Sequence, residues 1–160
     1  MPKYTSNGHT TRSPADLQAA RRAAAERFEA IAAAHLPPGW SVVRYRKNLS
    51  GYCDHTNKVI VAPRPRSRKA LYIFLHECAH AREHCSNGRG RVPRHVEELE
   101  AEQWAHARMR EHGIRVPRAM TKRAKNYVAR KIKQAVARGA KRIDPAARRF
   151  ARSARRAEHA

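Results

Sequence analysis

The sequence predicts an α+β fold, with one helix followed by a small sheet and then a run of helices. Three observations lead there. Alanine is abundant and aromatic residues are few, which favours helices over a large sheet. Short β-branched and aromatic runs are confined to about residues 41–62. Everything after them reads at helical spacing, broken by Gly and Pro.

Taken in order, the first dozen residues are polar and form a loose tail. Ser13-Pro14-Ala15-Asp16 then supplies an N-cap, a proline at the first helical position and an acid in the first turn. Leu17, Ala20, Ala24, Phe28, Ile31 and Ala32 follow near helical spacing until Pro37-Pro38-Gly39. SVVRYR, GYCD and KVIVA are the strands of a three-stranded antiparallel sheet, punctuated by turns at Leu49-Ser50-Gly51 and His55-Thr56-Asn57. Pro63 and Pro65 close this region, and Ser67 caps the helix carrying LYIFLHECAHAREH, which packs centrally on the sheet. A Gly- and Arg-rich loop leads to a second helix at about 95–112, ended by Gly113.

The division expected is a domain of residues 1–114 and a basic helical extension of 115–160. In the extension Met120, Ala124, Tyr127, Val128, Ile132, Ala135 and Val136 make one apolar stripe. The formal net charge is +22, and it is uneven. Residues 1–114 carry 19 Lys/Arg against 11 Asp/Glu, while residues 115–160 carry 16 against 2. Such a field attracts polyanions, so nucleic acid is an expected partner of the basic helices, through phosphates rather than base edges. The competing reading is a solvated arginine-rich surface. No zinc-finger or helix-turn-helix pattern argues for sequence-specific binding.

Three cysteines at irregular spacing argue against a disulfide framework and fit a reducing compartment. No apolar stretch approaches a membrane span, and the N-terminus lacks an apolar signal core, so an intracellular, cytoplasmic protein without membrane contact is expected.

HECAH is the pattern His-Glu-x-x-His. On a helix His76 and His80 share one face and can direct imidazole nitrogens at a single ion. Glu77 falls beside that ion and can take a proton from water held there. Zinc needs a third protein ligand, with the fourth position left open. His84 lies about 12 Å along the axis from His76, too far for three rings to meet one ion on a straight helix. His95, Glu97, Glu98 and Glu100 are the other candidates. At about 100° per residue, Val96, Leu99, Trp104 and Ala107 define the buried face of the second helix, with Glu100 in its middle and Glu98 and Glu102 pointing away. A carboxylate among core residues is costly unless paired or on a metal, which singles out Glu100. Tyr52, His84, His95 and His106 are candidates to stabilise an oxyanion.

KVIVA, HECAHAREH and EELEAEQWA, within residues 51–105, resemble the IrrE/ImmA-like zinc metallopeptidases. The resemblance implies His76 and His80 as zinc ligands, Glu77 as catalytic base and Glu100 as third ligand. EELEAE also resembles a run in ArdC-type antirestriction metallopeptidases. GYCD followed by KVIVA resembles the entry strands of SprT-like proteases, which would make His95 the third ligand. The chain departs from these patterns at Ala79, where the first family has glycine, at Trp104, where it has phenylalanine, and in lacking a cysteine-rich ribbon. The function expected is a zinc-dependent metalloendopeptidase of phage or mobile-element type, cleaving a protein that is bound to DNA. The alternative is a non-catalytic, metal-stabilised nucleic-acid-binding or virion-associated basic protein.

Overall fold

The computed structural model describes residues 13–86 and 92–152, with the side chains of 83–86 left out. The expected loose tail, His84, Cys85 and most of the Gly/Arg-rich loop lie outside what is described. The architecture is α+β: α1 (Pro14–His35), β1 (Ser41–Arg46), β2 (Tyr52–Asp54), β3 (Val59–Pro63), α2 (Arg68–Ser86), α3 (Arg94–Glu111), α4 (Arg118–Ala137) and α5 (Pro145–Arg152).

Local chemistry explains the helix starts. Ser13 and Asp16 form a reciprocal capping box with Pro14 in the first turn of α1. The Ser67 hydroxyl accepts from the Ala70 amide at 3.2 Å and starts α2. Only Ile31 and Ala32 of α1 are buried. Leu17, which the apolar spacing placed inward, is 44% exposed, because only the last turns of α1 lie against the core.

The sheet is mixed rather than antiparallel, with order β1-β3-β2. β2 and β3 form the expected antiparallel hairpin, pairing Cys53 with Ile60, and its turn is tied by the Thr56 and Asn57 amides donating to Asp54 Oδ1. β1 instead pairs parallel with β3, Ser41 opposite Val59. The physical reason lies in β3. Ile60, Val61 and Ala62 are all buried, so this strand is apolar on both faces and belongs in the middle. β1 and β2, whose residues are mostly half-buried or exposed, take the two edges.

Helix α2 is the centre of the molecule. Every residue from Ala70 to Ala81 is buried except His76, which is half-buried. It packs on β3, α1 and α3, with Leu71, Phe74, Leu75 and Cys78 in the main core beside Trp40 and Ile60. The C-terminal helices join this packing: Met120 of α4 sits in the main core, and Val128 of α4 and Ala147 of α5 enclose Leu99 of α3 in a second cluster. Among the described residues no helix is long and apolar enough to cross a membrane.

Candidate metal centre

One turn of α2 separates His76 from His80, and their rings meet edge-on with Nε2 atoms 3.1 Å apart. Two imidazole nitrogens that close repel unless one donates a hydrogen bond or both face a cation. The third member of the group is Glu98 on α3, whose Oε2 lies 3.4 Å from His76 Nε2 and 3.6 Å from His80 Nε2. The edge of a tetrahedron with metal–ligand bonds of about 2.05 Å is about 3.3 Å. The three observed separations bracket that value, so the donors fit one ion. Among the described residues, His76, His80 and Glu98 are the group able to hold a metal ion.

Electrostatics agree with this grouping. Burial alone would raise the Glu98 carboxyl, but hydrogen bonds from His76 and His80 outweigh it and hold the group well below the usual carboxylate range. Burial lowers His80, keeping neutral the form of imidazole that ligates metals. Arg94, one turn earlier on α3, reaches Glu98 Oε1 at 2.8 Å and pairs with the carboxylate oxygen that faces away from the histidines.

Glu100, which the sequence singled out, is not in the group. It is half-buried on α3, while Glu98 and Glu102, expected to point away, are almost fully buried. The helical phase differs from the expected one because α3 buries two faces against different neighbours. Leu99 packs towards α4 and α5, whereas Ala105 and Met109 pack in the main core. A single apolar direction through Val96, Leu99, Trp104 and Ala107 averages the two. The signal that could have found the ligand is the 3-4-3-4 spacing of His95, Glu98, Glu102, Ala105 and Met109, all buried on one stripe. Of the other candidates, His95 is buried but accepts from the Asp144 amide at 3.4 Å, at the start of α5, and Glu97 pairs with Arg94.

Glu102, 0% exposed, stands behind the cluster. Its Oε1 lies 2.8 Å from His106 Nε2, one turn on, and its Oε2 lies 3.8 Å from His76 Nδ1. Burial raises this carboxyl above its ordinary range. It stands behind His76, where a carboxyl group orients the ring.

Glu77 is buried beside His76 and points towards the β1–β2 loop. A Cβ at Gly51 would fall 2.7 Å from Glu77 Cγ and 2.8 Å from its Oε1, so only glycine lets the backbone pass this close. Burial pushes Glu77 up to about 7, against a smaller opposing effect of His76. A carboxyl there is poised to exchange protons near neutrality. His76, Glu77, His80 and Glu98 face a cavity of about 290 Å³. Ser50 to Cys53 form one wall and Met120, Arg123, Ala124, Tyr127 and Val128 of α4 another. The Arg123 guanidinium donates to the Leu49 carbonyl and ties α4 to the β1–β2 loop. Tyr52 lines this cavity, as does the buried Tyr72, whose hydroxyl has no hydrogen-bond partner among the described residues. Compared with protein-family models, curated proteins and solved structures, the chain matches none.

Proposed function

We propose that the protein is a zinc-dependent metallopeptidase that hydrolyses a peptide bond in a protein substrate. The observation that carries this reading is the convergence of His76, His80 and Glu98 at the edge lengths of a tetrahedral site, with the Glu77 carboxyl buried beside it. The donor set of two imidazoles and one carboxylate suits zinc, with a position left for substrate. A bound zinc ion would polarise the scissile carbonyl and acidify water at the site. Glu77 accepts the proton of the attacking water and returns it to the leaving amine. Two features favour its shuttling: a protonation balance near neutral pH and a side chain held against Gly51. The open edge of β2 beside the cavity offers main-chain groups to an extended peptide. Supporting this reading is the motif resemblance to IrrE/ImmA-like enzymes, with the carboxylate ligand at Glu98.

The test pairs metal content with cleavage. Wild-type protein should carry one zinc per chain by elemental mass spectrometry and degrade fluorescein-labelled casein. Glu77→Gln should keep its zinc and lose at least about a hundredfold in rate. A Glu77→Gln protein with full activity would sink the mechanism.

A second reading has its own observation. Exposed Arg118, Lys122, Lys133, Arg149 and Arg152 on α4 and α5 support contact with nucleic-acid phosphates. If DNA is the partner, the logarithm of affinity falls with the logarithm of salt with slope about −0.9 per phosphate contact. In the purely binding protein this affinity survives Glu77→Gln, and zinc-loaded wild type cleaves nothing.

A further inference from the structure

The metal cavity does not end at the metal. Arg94 lines both it and a second depression of about 310 Å³, whose other cations are Lys131 and Arg138. Pro93 and His95 line that depression and a third of about 690 Å³, which holds Lys141, Arg142 and Arg148. The first two adjoin along one face of α4, where Ala124, Tyr127, Val128, Lys131, Ala135 and Arg138 recur at helical spacing, and the third continues past Pro93 and His95 along the segment that leads into α5. The single acid in the outer two is Asp144, whose Oδ1 already accepts the Ala147 amide at 2.8 Å. Arg94 is engaged by Glu97 and Glu98. Among the described residues no ion pair involves Lys131, Arg138, Lys141, Arg142 or Arg148.

We propose that this groove binds an acidic segment of the polypeptide substrate, several residues from the scissile bond; the inference rests on the peptidase reading. A chain lying across the cleft must leave it, and the way out past α4 is lined by five cations outside any ion pair among the described residues, against the single acid Asp144. Positive charge concentrated along a concave groove selects negative side chains more strongly than the same charges spread over a flat surface. From Ala124 to Arg138 the groove runs about 21 Å at the α-helical rise. An extended peptide covers that in about six residues. Nucleic acid is the less economical occupant, since it would have to enter the channel as a second ligand beside the substrate chain.

The experiment uses the full chain carrying Glu77→Gln, so that binding is read without cleavage. Fluorescence anisotropy follows a fluorescein-labelled hexaglutamate, a hexaserine of the same length and a six-nucleotide single-stranded DNA of similar charge. Hexaglutamate should bind and hexaserine should not. Adding Arg138→Glu with Arg142→Glu should weaken hexaglutamate at least tenfold. Lys122→Glu with Lys133→Glu, an equal charge change on the opposite face of α4, should weaken it less than twofold. Equal losses in the two double variants would overturn the proposal in favour of a diffuse field. DNA binding more than tenfold tighter than hexaglutamate and lost only with Arg138 and Arg142 would also overturn it, and hand the groove to nucleic acid. The peptidase reading fails separately, if zinc-loaded wild type cleaves neither casein nor peptides bearing a glutamate tract on either side of a neutral core.

Discussion

Helices α2 and α3 contribute to the same cluster of donors, yet they bury their ligands in opposite ways. In α2 the two histidines rise from a segment that is apolar on nearly every side, so the ligand pair is carried by the core itself. In α3 the buried stripe is polar, with His95, Glu98 and Glu102 among Leu99, Ala101, Ala105 and Met109. A charged group buried in this way is stable only with partners, and α2 supplies them: both α2 histidines for Glu98, with His106 of α3 itself for Glu102. The difference teaches that a group of donors able to hold a metal ion can be announced by hydrophobic context on one helix and concealed by its absence on the next.

That contrast can be broken most sharply at the third ligand. Glu98→Ala should abolish zinc retention on dialysis, as should His80→Ala, whereas Glu100→Ala should keep one zinc per chain by elemental analysis. Zinc lost from Glu100→Ala and kept in Glu98→Ala would reverse the assignment. The next effect tests the apolar side of the comparison. Leu75, fully buried in α2, should cost about 2–5 kcal/mol on replacement by alanine, read by urea denaturation of the metal-free protein. Behind the ligands, Glu102→Ala should weaken zinc affinity by about 10–100-fold in a competition titration while leaving the stoichiometry at one.

Smaller again is Gly51→Ala. The added carbon meets Glu77, so the variant should lose about 1–3 kcal/mol of stability or lower the turnover number with KM little changed. The mildest prediction concerns pH and lies away from the metal. His35 Nε2 lies 2.9 Å from His112 Nε2, a hydrogen bond that needs a neutral acceptor nitrogen. Burial, then the nearby His112 and Arg108, lower His35 below its ordinary 6.5. The unfolded chain therefore takes up the proton first, and stability falls as pH drops through about 6.5. Thermal melts between pH 8 and pH 5 should show a shallower fall for His35→Leu than for wild type.

The sequence made legible what depends on local chemistry. The capping box at Ser13, all three strand segments, the Ser67 start of α2 and the face shared by His76 and His80 follow from neighbours within a few residues. Two features escaped for the same reason, that they are set by packing between distant segments. The parallel pairing of β1 with β3 depends on which strand the core covers on both faces. The choice of Glu98 over Glu100 depends on α3 lying between α2 on one side and α4 and α5 on the other. Charge count alone would have placed α4 as a solvated arm, yet Met120 and Val128 bury it against the rest.

The tie between Arg123 and the Leu49 carbonyl has a consequence in time as well as in space. During synthesis the motif helix and α3 leave the ribosome before α4. Until Met120 to Val128 have emerged, the cavity lacks one wall and Leu99 lacks its cover. A nascent chain of this protein therefore holds the His76, His80 and Glu98 donors before it holds the wall that encloses them, and α4 completes the cavity only after both donor helices have been made.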